Sequence, residues 1–180
     1  TWNAALWQYT VVDSYVSQPG FGYWKAVDGR ISSESRVARD GYKVSASKSW
    51  HAAGSGPHWL VVDLGSPYFV DRFVVHHDGA DAGKGDSKHN TSDFQIQRGS
   101  TLDGPWEDLA RARGNTDSVT THTIAPAKMR YVRLYITGAG SPDDATARIC
   151  EFEVYAVATA TIQVKVGQPS PSPRSPPSSK

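Results

Sequence analysis

Apolar residues recur at every second position in five short stretches of this chain. Trp59–Leu64 places Leu60, Val62 and Leu64 on one face, and Val70–His76 follows the turn signal Gly65-Ser66-Pro67 as a second run. In Phe94–Arg98, Phe94 and Ile96 point one way and the glutamines the other. Tyr131–Thr137 turns Val132, Leu134 and Ile136 inward, and Ile149–Val157 does the same with Cys150, Phe152, Val154 and Ala156. A period of two in β-branched and aromatic residues marks half-buried strands. Gly, Pro, Asn and Asp clusters separate the runs, and no segment keeps a 3.6 period over three turns. The pattern predicts an all-β fold, an antiparallel β-sandwich or jelly roll.

The connections are long for such a fold. Between Asp78 and Asp93 no apolar residue is larger than Ala, and Gly29–Ser49 is a second excursion. Long connections in a small domain are usually functional or mobile. The end of the chain changes character. Gln168–Lys180 is almost wholly Pro and Ser, which blocks ladders and supplies no core, so it reads as an extended linker or, more plainly, a tail. The expected organisation is a module over 1–157, an extension over 158–167 and the Pro/Ser segment over 168–180.

Composition narrows the classes. With 180 residues, one domain is expected, and its core needs no disulfide. Cys150 is the only cysteine, so no intrachain disulfide can form. The net charge is +1 with acids and bases interspersed, which offers nucleic acid no basic stripe. No run of 18 apolar residues occurs, so no spanning helix is expected. Six Trp and eight Tyr are the conspicuous enrichment.

A family likeness runs through the motifs in order: Ala26-Val-Asp-Gly29, Trp50-His51, Trp59-Leu-Val-Val-Asp-Leu-Gly65, Asn90-Thr-Ser-Asp-Phe94, Asp103-Gly-Pro-Trp106, Arg130-Tyr-Val-Arg-Leu134 and Arg148-Ile-Cys-Glu-Phe-Glu-Val-Tyr155. This order resembles the discoidin domains, also called coagulation factor V/VIII type C domains, and within them the bacterial family 32 carbohydrate-binding modules. The likeness spans about residues 3–157. It implies a galactose-binding-domain-like jelly roll, a structural calcium and a sugar site on loops at one end. Animal members staple their termini with a disulfide, which one cysteine excludes here.

The resemblance implies calcium ligands at the Lys25 carbonyl, the Asp28 carboxylate, the Arg30 carbonyl, Ser33 (hydroxyl and carbonyl), the Cys150 carbonyl and the Glu151 carboxylate. These are hard oxygen donors of the kind Ca²⁺ takes. Strand alternation separately turns Glu151 away from Phe152 and Val154. The plainer reading is a simple Asp-Gly turn and a solvated Glu151.

Sugar recognition needs aromatic faces for the C–H side of the ring and fixed polar groups for its hydroxyls. Phe21-Gly22-Tyr23-Trp24 supplies aromatics just before the calcium turn. By position in similar modules, His51 and Asn90 match the residues that grip hydroxyls. The usual arginine has no match; Lys84 or Lys88 could replace it, and His77 and Asp78 are further candidates. Each has a plainer reading: Tyr23 or Trp24 on the sheet end, Asn90 capping a turn, and Arg130 and Arg133 supporting the sheet surface. Trp50 and Trp59 read as core.

No catalytic pattern accompanies these groups. Asp78, Asp81 and Asp86 share one loop without a facing acid, Asp143-Asp144 reads as a solvated pair, and neither Gly-x-Ser-x-Gly nor His-Glu-x-x-His occurs. Cys150 on an inward face suits no nucleophile. The expectation is a secreted, monomeric, non-catalytic module that holds a catalytic domain of the same chain on a polysaccharide or oligosaccharide, with a leader upstream of Thr1. Binding to a protein or membrane surface, as adhesion discoidins do, is the alternative, and basic charge near Phe21–Trp24 is sparse for it.

Overall fold

The computed structural model describes residues 1–5, 9–12, 22–31, 34–37, 43–46, 49–52, 54, 56–81 and 85–157. All strand pairings are antiparallel. The chain runs β1 (Trp2–Asn3), β2 (Tyr9–Val12), a 3-10 turn (Tyr23–Val27), β3 (Glu34–Val37), β4 (Lys43–Ala46), β5 (Trp50–Ala52) and β6 (His58–His77). Two short 3-10 turns follow, at Asp78–Ala80 and Ser87–His89. Then come β7 (Asp93–Gly99), β8 (Trp106–Ala112), β9 (Val119–Gly138) and β10 (Ala147–Ala156).

Two long strands make the sandwich. β6 and β9 pair along most of their length but belong to two layers. The first half of β6 and the second half of β9 join β2, β7 and β8. The second half of β6 and the first half of β9 join β10, with β1 and β5 on its far edge. The bend falls at Gly65-Ser66-Pro67. Gly65 takes φ 78°, its N–H bonds the Asp63 side chain at 2.9 Å, and the register with β9 slips between Asp63 and Tyr68. Positive φ is cheap only for glycine, and Pro67 offers no ladder N–H. The turn signal therefore bends one strand instead of separating two, which corrects the sequence reading there.

Inward residues of both layers form one core. Leu60, Val62, Leu64, Phe94, Ile96, Val132, Leu134 and Ile136 come from the first layer, and Val70, Phe73, Val75, Ile149, Phe152 and Val154 from the second. Phe73 and Phe152 stack at 6.3 Å across β6 and β10. Trp50 is fully buried, as the core reading expects.

Strand pairing joins the two ends of the module. Trp2 and Asn3 pair with Ala156 and Tyr155. The Asn3 side chain accepts from both Ala5 N and Val154 N at 3.0 Å. Segments 158–167 and 168–180 lie outside the described residues.

Candidate functional site

The aromatic end is set by a glycine. The turn Tyr23–Val27 buries Ala26 and Val27 and packs against β5 and β10. A Cβ on Gly22 would fall inside the Trp24 ring, 2.0 Å from its nearest carbon, so only glycine lets that ring lie over the backbone. Tyr23 and Trp24 meet edge to face at 5.5 Å and are 38% and 52% exposed. Such exposure of a rigid aromatic pair is the usual form of a binding platform. Phe21 lies outside the described residues.

Directly behind this turn, Asp28-Gly29 meets β10. Gly29 takes φ 74° and donates its N–H to Glu151 Oε2 at 3.1 Å. Arg30 N bonds Asp28 Oδ1 at 3.0 Å. Glu151 is buried rather than solvated, and among the described residues its Oε1 has no hydrogen-bond partner. Burial pushes the carboxyl up to about 8; the Asp28 charge adds to this and the Gly29 N–H opposes it. A register shift between Ile149 and Glu151 lets Cys150 bury on the other side. Burial also holds the Cys150 thiol up at about 12, which suits no nucleophile. Asp28 and Glu151 are the two carboxylates a cation could use here; further oxygens would be main-chain carbonyls, with Lys25, Arg30 and Cys150 adjacent in sequence. Ser33 lies outside the described residues.

A polar group stands beside the aromatic end. His51 on β5 lies opposite Arg148 on β10. Its Nε2 is 2.9 Å from Ser49 Oγ. Burial, then the Arg148 charge, lowers its pKa to about 4, so the ring is neutral at pH 7. Arg148 bonds the Asp144 carboxylate and, at 3.3 Å, the Thr146 carbonyl. The guanidinium holds the Asp144 carboxyl well below the usual range. His89 stands 3.9 Å from Asp144 Oδ2 and 3.7 Å from Asp78 Oδ2. Sequence reasoning missed Asp144, Arg148 and His89 as site residues. The loop pair Asp143-Asp144 looked solvated, and only the β5–β10 register shows that Arg148 faces His51.

Two expected ligand residues are spent on the fold instead. Asn90 is 3% exposed: its Oδ1 accepts from Gly79 N at 2.8 Å, and its Nδ2 donates to Thr116 O at 3.0 Å and Ser118 Oγ at 3.3 Å. It clasps two loops, a fuller form of the turn-capping alternative. His77 is fully buried against the Phe94 ring at 5.3 Å, with Nε2 3.2 Å from Thr120 Oγ1. Strand alternation turns it inward. Asp78 is also largely buried; its Oδ2 accepts from Asp86 N at 3.0 Å, and burial raises its carboxyl. Lys88 is exposed and paired with Asp86 at 3.0 Å. Lys84 lies outside the described residues.

A two-layer sheet bent through β6 and β9 is a galactose-binding-like β-sandwich. The model for the F5/F8 type C domains, described as a NedA-like galactose-binding domain, matches residues 25–134, and the chain belongs to this family. Among solved structures, it is similar to the family 32 carbohydrate-binding module of Streptococcus pneumoniae EndoD (24% identity, TM-score 0.68, covering 86% of this chain and 99% of that one). It is also similar to chitosan-binding module 2 of a Paenibacillus sp. IK-5 chitosanase/glucanase, solved with chitotriose (23%, TM-score 0.62, 86% and 100%). A third is a Streptococcus pneumoniae fucose-binding module, SpX-3 (17%, TM-score 0.62, 88% and 100%). No curated protein sequence matches. Among the described residues no helix is long and apolar enough to cross a membrane.

Proposed function

We propose that this chain is a non-catalytic sugar-binding module whose ligand packs on Tyr23 and Trp24 and is held through its hydroxyls by His51, Asp144 and Arg148. The observation that carries this reading is the exposed edge-to-face pair, fixed over Gly22, on a turn that packs against the two strands bearing His51 and Arg148. Neutral His51 offers one donor and one acceptor, ionised Asp144 accepts, and Arg148 donates. That set complements a ring of hydroxyls. The relatives support the class of ligand, since their modules bind chitosan and fucose.

A structural Ca²⁺ between Asp28 and Glu151 belongs to this reading. The donors are hard oxygens, and Glu151 Oε1, without a partner among the described residues, is the kind of buried acceptor a cation satisfies. When bound, the ion supplies positive charge that keeps Glu151 ionised and ties the turn to β10. The Pro/Ser segment 168–180 supports a tether to a polysaccharide-active enzyme in a longer secreted chain. Tethering would raise the effective sugar concentration seen by that neighbour.

The test is a glycan array on the 180-residue chain, followed by titration of Trp24→Ala and His51→Ala with the best ligand. Each variant is expected to bind about tenfold or more weaker, the loss typical of a central aromatic or a buried polar contact. Unchanged affinity in both would place the sugar elsewhere.

A further inference from the structure

The first layer carries four strand arginines with described side chains, and three of them hold a carboxylate. Arg98 forks onto Glu107 at 2.8–3.0 Å, Arg111 reaches Asp108 at 2.7 Å, and Arg130 forks onto Asp63 at 2.7 and 2.8 Å. Arg133 is different. Val132 and Leu134 face the core, so Arg133 projects from the outer face of β9, flanked by Tyr131 and Tyr135. Its Nε donates to Gln97 Oε1 at 2.7 Å, and among the described residues no acceptor lies on its two terminal nitrogens. The nearby Asp108 is taken up by other groups. One oxygen accepts from Gln97 at 2.7 Å, the other from Gln95 at 3.2 Å and from Arg111. A glutamine thus stands between Arg133 and the one acid that could neutralise it.

The guanidinium is also fixed in place. Its carbon is 4.3 Å from the Trp106 ring centroid and 4.8 Å from that of Tyr135. Trp106 itself lies against the backbone of Gly99 and Gly104. A Cβ on either glycine would come within 2.8 Å of the ring, and Gly104 has φ 96°. The charge is therefore partly desolvated, pinned at Nε and stacked on aromatics; the Asp108 charge acts on it from nearby, but its oxygens are bonded to other groups. A half-buried guanidinium with no carboxylate on its terminal nitrogens keeps those N–H groups for water or for an external acceptor. Its remaining pair of N–H groups matches a planar carboxylate end-on.

We propose that the outer face around Arg133 is a second binding surface, distinct from the Trp24 end, which takes the carboxylate of a uronic acid residue in a polysaccharide. The carboxylate meets the two terminal nitrogens of Arg133, and the half-buried rings of Tyr131 and Tyr135 flank the sugar. The anion half of this inference rests on the unbonded terminal nitrogens of Arg133 alone. The saccharide half rests on the function proposed above.

Affinity electrophoresis separates the two. The 180-residue chain, Arg133→Gln, Arg133→Lys and Trp24→Ala are run in native gels containing polygalacturonate, its carboxyl-reduced neutral form, or poly-glutamate. Wild type is expected to be retarded more by polygalacturonate than by the reduced polymer. Arg133→Gln should lose about tenfold or more of that retardation, as expected for a charge-assisted pair, and Arg133→Lys, keeping charge without the fork, should fall between. Unchanged urea midpoints show that the variants are folded. Trp24→Ala should leave the acid-dependent retardation in place; if it does and Arg133→Gln does not, the two surfaces are independent. Equal retardation of wild type and Arg133→Gln would overturn the proposal while leaving the Trp24 site untouched. Poly-glutamate retarding wild type as strongly as polygalacturonate would overturn the saccharide assignment.

Discussion

Buried His77 makes a quantitative test of the corrected site. The ring has no exposed surface, and burial lowers its pKa from the ordinary 6.5 to about 4. In the unfolded chain His77 takes up a proton as pH falls through 6.5; in the folded chain it does not until about 4. The unfolded state therefore binds more protons in this window, and stability is lost as pH falls across it. Each pKa unit is worth about 1.4 kcal/mol, so His77 alone should remove about 2 kcal/mol between pH 8 and pH 5, and about 3 kcal/mol by pH 4. His77→Gln keeps a polar group near Thr120 Oγ1 and removes the titration. Other groups also titrate in this window, but they are common to both proteins. The quantity to read is the difference. Urea unfolding followed by tryptophan fluorescence at pH 8, 6.5 and 5, in fixed Ca²⁺, gives it by linear extrapolation. His77→Gln should cost stability at pH 8 and regain about 2 kcal/mol relative to wild type at pH 5. Parallel pH profiles for the two proteins would mean that the ring is solvated, and His77 would return as a ligand candidate.

Four further outcomes follow from the geometry. Asn90→Ala should lower stability by about 2 kcal/mol, because it strands the buried Gly79 N–H and unclasps the Thr116 and Ser118 loop, while sugar affinity changes little; urea melts and titration check both. Gly22→Ala should weaken sugar binding with a small change in melting temperature, since a Cβ there displaces the Trp24 ring. EDTA should lower the melting temperature and added Ca²⁺ restore it, whereas Glu151→Gln should melt identically with and without Ca²⁺; a wild-type melt indifferent to EDTA, with no metal by elemental analysis, removes the ion from the account. Leu134→Ala, at a fully buried position, should cost about 2–5 kcal/mol in the same urea assay.

What the sequence reveals and what it hides divide along a physical line. Alternation along a strand is local, so the inward sets of β6, β7, the second half of β9 and β10 from Phe152 on are visible in the residues themselves, while the bulge at Ile149–Glu151, which puts Ile149 rather than Cys150 in the core, is not. The first half of β9 is not, because Val119–Lys128 faces the core with little more than Ile124 and Ala127. β8 is likewise hidden: Trp106–Ala112 has no fully buried residue, and its Trp106 is held by glycines and an arginine from other strands. Strand pairing is non-local, and the same residues read differently once it is known. Asn90, in a polar loop, looks like a ligand until Gly79, Thr116 and Ser118 converge on it.

The missing arginine shows how this changes a functional argument. Position in the motif order leaves the sugar site without one, which favours lysine substitutes in the 78–93 loop. The β5–β10 register instead places Arg148 opposite His51, from a strand the motif order assigns to the calcium turn. Arg148 arrives already bound to Asp144, so the pair presents a donor and an acceptor of opposite charge. That distinguishes the end site from the sheet face. At the end, cation and anion cancel, and the complementary ligand is a neutral sugar read through its hydroxyls. On the face, Gln97 separates Arg133 from Asp108, and the cation is left for an external acid. The sign of the counter-charge beside each arginine, more than the presence of either arginine, sets which sugar each surface can take.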